Sequence, residues 1–169
     1  NPVNLYAATK QAFRAMLKYY IEVFGFRVIN LELFDTYGPN DQRGKLFALL
    51  DNLRKGGDTI GMSPGAQRLD PIYIDDVTEA FIIALERLES GSVSDEETYS
   101  VGSGRSIQLR ELVKIYEDET GVTLNIEWGG RPYRTREVMQ PWSRGVALPG
   151  WSPRTSLREG IRRILQADV

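Results

Sequence analysis

Residues 4–39 read NLYAATKQAFRAMLKYYIEVFGFRVINLELFDTYGP, and the fold is decided in this stretch. Leu5, Ala8, Ala12, Met16, Tyr19 and Tyr20 recur at helical spacing, with Asn4 placed to cap the start and Gly25 to stop the end. A helix is therefore expected from Leu5 to about Phe24. The remainder, Arg27 to Phe34, alternates apolar with polar side chains and runs into Tyr37-Gly38-Pro39, the pattern of a strand that ends in a turn. A helix feeding a strand is the repeating step of α/β folds.

Further along, Lys45 to Lys55 is helical in pattern, Gly61 to Gly65 reads as a turn-rich loop, and Leu69 to Ile74 as a short extended stretch. Asp75 is expected to cap a helix from Val77 to about Leu88, followed by a polar surface loop from Glu89 to Glu97. Tyr99 to Gly102 reads as a short strand, Leu109 to Glu119 as a helix stopped by Gly121, and Thr123 to Trp128 as another strand. A basic loop, Gly129 to Arg136, and an amphipathic helix, Ser156 to Leu165, complete the chain. Only the strand ending at Phe34 looks long enough for a central parallel sheet, so the fold is expected to be incomplete by itself.

With 169 residues and 41% hydrophobic content, the chain suits one ordinary globular core. A formal charge of −2 gives no electrostatic reason to expect a nucleic-acid or membrane partner. Cysteine and histidine are absent, which removes disulfides, thiolate or imidazole metal sites and the commonest general base. No metal is expected. No apolar run approaches the roughly 20 residues of a membrane span, and the N-terminal residues lack a signal pattern, so a cytoplasmic location is expected.

Tyr6 and Lys10 stand four apart in Tyr6-Ala-Ala-Thr-Lys10, which puts a phenol and an ammonium on one helix face. A nearby cation favours phenolate over phenol, so Tyr6 is a candidate to give or take a proton during hydride transfer at a sugar hydroxyl. Lys10 is a candidate to reach a ribose hydroxyl. The spacing alone leaves an ordinary surface pair open.

Taken together, Asn1-Pro-x-Asn-Leu-Tyr6-x-x-x-Lys10, Tyr37-Gly38-Pro39, Asp70-x-x-Tyr73-Ile74-Asp75-Asp76-Val77 and Leu148-Pro-Gly-Trp151-Ser-Pro153 resemble the extended short-chain dehydrogenase/reductase (NAD-dependent epimerase/dehydratase) family. Within it, Leu5 to Gln11, Leu33 to Pro39, Gln67 to Asp70 and Arg136 to Met139 are similar to the CDP-sugar 4-ketoreductases of the CDP-abequose and CDP-paratose synthase type. The resemblance implies an α/β fold: the C-terminal part of a Rossmann-type enzyme, namely the end of its parallel sheet plus the small substrate-binding domain. The N-terminal cofactor-binding half would be missing. Residues 1–40 would be the Rossmann remnant, and residues 41–169 mainly the substrate domain, returning to the sheet near 69–102.

The resemblance further implies NADPH-dependent reduction of a CDP-4-keto-deoxyhexose to a CDP-dideoxyhexose for surface polysaccharide. Tyr6 would be the acid, and Lys10 would steady it and hold the nicotinamide ribose of NADP or NAD. The chain alone would then be inactive, and the parent a dimer with Tyr19, Tyr20 and Phe24 at the interface. Two alternatives stay open: an NAD-dependent epimerase or dehydratase on the same fold, and a non-catalytic sugar-nucleotide-binding module.

Candidate substrate residues follow from the same resemblance. Asp35 stands where relatives usually carry asparagine near the substrate phosphate, with a strand-end turn residue as the other reading. Arg68 lies one position before the arginine site of many relatives, which in a strand points to the opposite face. Arg131, Arg134 and Arg136 cluster in the loop that aligns with the family's diphosphate-binding segment, and guanidinium groups grip phosphate oxygens bidentately. A solvated basic turn is the alternative. Arg43 and Lys45 lie where relatives often contact the nucleotide. Trp142 and Trp151 are left outside the site, Trp151 being assigned to packing of the last helix.

Overall fold

The computed structural model describes residues 2–41 and 43–167; Asn1, quoted with the first motif, lies outside them. Helix α1 spans Leu5–Phe24. Asn4 caps it by accepting a hydrogen bond from Ala7 N at 2.9 Å, and Gly25 ends it in the left-handed conformation at φ 65°. The expected strand is two, β1 (Val28–Leu33) and β2 (Asp35–Tyr37), broken at Phe34. The remaining elements are α2 (Leu46–Arg54), β3 (Ile60–Met62), β4 (Arg68–Leu69), β5 (Pro71–Tyr73), α3 (Ile74–Glu89), β6 (Glu96–Val101), β7 (Ile107–Gln108), α4 (Leu109–Thr120), β8 (Ile126–Trp128) and α5 (Leu157–Ala167).

The architecture is α/β. β1 pairs in parallel with β6, and β2 in parallel with β5, so the strand changes neighbours at Phe34, whose N–H reaches Val101 O at 3.2 Å. Two smaller pairs, β3 with β8 (parallel) and β4 with β7 (antiparallel), lie farther out. In open α/β sheets ligands bind outside the carboxyl ends of strands, where neighbours diverge. Phe34 and Asp35 occupy such a point.

Three local expectations change. The short strand expected from Tyr99 starts earlier, at Glu96, inside the end of what reads as a polar loop, and so gives the sheet a second six-residue strand, β6; Glu96 and Glu97 are half-buried through Asn30 and Arg87, which bind their carboxylates. Ile60–Met62 forms a strand rather than a turn, because β8 lies beside it. Asp75 is not a cap: α3 begins at Ile74, and Asp75 sits in its first turn, exposed and 3.4 Å from Arg163.

The buried carboxylate is the next one, Asp76, which accepts from Arg154 N (3.2 Å) and Thr155 N (3.0 Å), while its carbonyl accepts from Trp151 Nε1 (2.9 Å). The Asp75-Asp76 and Trp151-Ser-Pro153 motifs are thus one hydrogen-bonded unit. Two apolar clusters form the core. One, around Ile72, Val77, Tyr99, Val101 and Leu148, lies against the β1–β6 sheet. The larger, around Phe47, Leu50, Leu112, Tyr116 and Ile161, joins α2, α4 and α5. No helix among the described residues is long and apolar enough to cross a membrane.

Candidate functional site

A cleft of ≈ 1060 Å³ opens at Phe34 and Asp35. Val3 and Asn4, which lead into α1, stand on one wall; Leu46, Leu49, Ile60, Met62 and Leu109 supply apolar surface; Arg68, Arg131, Arg134 and Arg136 supply charge. The arginine loop is held by its backbone. Because β8 runs parallel to β3, the chain leaving Trp128 passes over the end of β3, and Met62 O accepts from Gly129 N (3.0 Å) and Arg131 N (3.1 Å). The Tyr133 hydroxyl accepts from Ala66 N at 3.0 Å, and Arg68 N donates to Met139 O at 3.0 Å. The backbone is fixed while the guanidinium groups stay loose.

Among the described residues, the side chains of Arg131, Arg134 and Arg136 make no hydrogen bond or ion pair, and all three residues are exposed. Arg68 is half-buried and spends its guanidinium on the neutral Ser106, through the hydroxyl at 3.1 Å and the carbonyl. Four arginines therefore face two lining carboxylates, Asp35 and Glu137. A concave surface with surplus, unpaired guanidinium is suited to a ligand carrying several anionic oxygens.

Asp35 moderates that field. Its Oδ2 accepts from Asp70 N at 3.1 Å. The residue opens onto the cleft, yet protein atoms crowd its carboxylate, and this burial holds its pKa above the ordinary aspartate value; the Asp70 charge adds to the rise, while the Asp70 N–H and Lys45 oppose it. Asp70 is committed elsewhere, its carboxylate accepting from Ser103 N (2.8 Å), the Ser103 hydroxyl and Gly104 N (3.2 Å).

The structure brings Asp35, Arg68, Arg131 and Arg134 into one cleft and leaves Lys45 just outside, preceding α2. Arg43 is closed off by a two-pronged bond to Asp41, at 2.7 and 2.8 Å. Tyr6 and Lys10 share a face of α1, with the ammonium 5.4 Å from the ring centroid. They lie within two turns of Asn4 but do not line the cleft, and Tyr6 is exposed. Sequence reasoning missed Phe34, Ile60, Gly61 and Met62 in the cleft wall; a switch of strand partners leaves no trace in a single hydrophobic run. Trp142, set aside above, lines the cleft too; Trp151 stays outside the cleft, but where the sequence assigned it to the last helix, the structure packs it against the Ile72, Val77 and Leu148 cluster and bonds it to the Asp76 carbonyl in α3.

Residues 1–102 match the model of the NAD dependent epimerase/dehydratase family. CDP-abequose synthase of Salmonella muenchen is 32% identical over 163 residues, covering 95% of this chain and 55% of that protein. CDP-abequose synthase of Yersinia pseudotuberculosis is 34% identical over 139 residues, covering 82% and 47%. The chain thus spans about half the length of the curated relatives it matches. Among solved structures, UDP-glucuronic acid 4-epimerase from Bacillus cereus superposes with a TM-score of 0.82 over 98% of this chain and 54% of that one, at 21% identity, which establishes a Rossmann-like fold. By its sequence match over residues 1–102, the chain belongs to the NAD dependent epimerase/dehydratase family.

Proposed function

We propose that the chain is the substrate-binding part of a nucleotide-sugar 4-ketoreductase that reduces a CDP-4-keto-deoxyhexose with NADPH. One observation carries this reading: three unpaired guanidinium groups project into a cleft whose wall is the entry to the Tyr6–Lys10 helix. Arg131 and Arg134 hold the diphosphate, Arg68 and Lys45 add positive field, and Asp35 accepts a hydrogen bond from the sugar. The similarity to proteins named CDP-abequose synthase supports cytidine as the base.

The residues present fit a nicotinamide cofactor at one point, the phenol and ammonium exposed together on α1. When bound, NADPH supplies the hydride. Tyr6 gives its proton to the oxygen at C4, and Lys10 steadies the phenolate left behind and holds a ribose hydroxyl. In the same proposal residues 1–40 belong to the cofactor domain, residues 41–169 mainly to the substrate domain, and the protein is a cytoplasmic homodimer.

The test uses the full-length protein with NADPH and a CDP-4-keto-deoxyhexose, following nicotinamide absorbance and identifying the sugar by NMR. Stoichiometric NADPH oxidation with a new C4 hydroxyl supports the ketoreductase. A changed sugar without net oxidation moves the assignment to an epimerase or dehydratase, and binding without turnover to a non-catalytic module.

A further inference from the structure

Glycine weakens a strand, and where one sits inside a strand another backbone often passes close by. Gly61 is the middle residue of β3, and Gly130 stands in the loop that β8 feeds. The two stretches cross there. A Cβ on Gly61 would meet Gly130 first, its carbonyl carbon at 3.3 Å and its Cα at 3.4 Å, and a Cβ on Gly130 would lie 2.9 Å from Gly61 Cα.

The crossing is fastened on both sides. Met62 O accepts from Gly129 N and Arg131 N, the residues flanking Gly130, and Gly130 N closes a turn on Glu127 O at 3.2 Å. Gly129, at φ 87°, supplies the left-handed conformation by which the chain leaves β8 and folds back over β3. Arg131 therefore emerges at one fixed place, one residue past the crossing.

That placement works against electrostatics. Arg131, Arg134 and Arg136 follow one another closely, and among the described residues none has a side-chain partner, so their charges repel. A loop free to swing would carry them apart. Two backbones crossing with no side chain between them hold the three groups at the cleft before a ligand arrives, so binding does not have to gather them.

We propose that Gly61 and Gly130 are positioning residues for the diphosphate. Their bare crossing sets where the guanidinium groups converge, and a side chain at either position disperses them without removing a charge. This rests on the nucleotide-sugar reading above and adds two residues that act through Arg131 rather than on the ligand.

The test is calorimetric titration of the full-length protein with CDP and with inorganic pyrophosphate, for wild type, Gly61→Val, Arg131→Ala and the double variant. Valine suits a strand, so Gly61→Val presses on the loop without weakening β3. It weakens both ligands about tenfold, and adding Arg131→Ala to it costs less than about a further twofold, because the displaced guanidinium no longer contributes. Gly130→Ala presses the same contact from the loop side, at a residue outside the left-handed region, and behaves alike, so the result does not depend on one variant folding. Unchanged affinity in both glycine variants overturns the positioning role. So does multiplication of the two single losses in the double variant, the outcome if valine only filled the cleft or loosened the fold. Binding of pyrophosphate with this coupling, but not of CDP, overturns the nucleotide-sugar reading and leaves the positioning role standing; failure of the wild type to bind either overturns both.

Discussion

Tyr6 and Arg131 are held in opposite ways. Tyr6 sits on a capped helix with its phenol exposed, so replacing it removes an oxygen and leaves the packing untouched. On the proposed function, Tyr6→Phe in the full-length protein keeps CDP-sugar binding while turnover falls by about two to four orders of magnitude, read as kcat against KM. Arg131 is fixed through its backbone bond to Met62, so Arg131→Ala removes charge without moving the loop and weakens the nucleotide sugar by about 1.5–3 kcal/mol in titration. Asp35 responds to pH. Because its pKa is raised on folding, the folded state holds the proton more tightly than the unfolded chain does. The resulting cost is absent below the ordinary value of 3.8 and grows as pH rises from there through the raised value. Asp35→Asn keeps an oxygen for the Asp70 N–H, so it raises the Tm at neutral pH, and the gain vanishes below pH 3.8. An equal gain at every pH would put the cause elsewhere.

At the scale of elements, what the sequence revealed depended on how local the determinant was. Asn4, Gly25 and Gly121 act within one helical turn, and both helix ends they mark as stops are found there. The arginine loop was legible as charge, while its convergence on the cleft depends on β3 and β8, 66 residues apart at Ile60 and Ile126. Asp75 and Asp76 show the limit most clearly. They are chemically alike and adjacent, and only the distant partners Arg154 and Thr155 make the second of them the buried one. Asp76→Ala leaves two backbone N–H groups unpaired and lowers stability by about 2–4 kcal/mol in urea titration, whereas Glu79→Ala, which loses only an exposed bridge to Arg154, costs less than about 1 kcal/mol. Gly160 belongs to the same class, since a Cβ there would lie 2.1 Å from the Tyr37 hydroxyl. Gly160→Ala costs about 1–3 kcal/mol, part of which Tyr37→Phe restores; strict additivity in the double mutant would deny the contact.

Over the whole molecule, apolar surface is unevenly covered. Leu5, Phe13, Met16, Tyr19, Val23 and Phe24 are exposed along α1, and Phe81, Ile82 and Leu85 along α3. α1 is moored to the sheet chiefly through Arg14, which reaches Glu32 and Thr98. Patches of this kind drive association, so the 169-residue chain purified alone gains scattering mass with concentration, and Phe13→Lys with Phe24→Lys reduces it. The latch at Asp76 sets a different kind of limit. It closes a circuit of nearly eighty residues, from the start of α3 to the segment before α5. Length added inside that circuit, at Ser90 to Asp95 for instance, leaves the closure intact. One residue inserted between Trp151 and Thr155 shifts every donor off its acceptor, so in a library of insertions survival would be governed by which side of Trp151 the addition falls on.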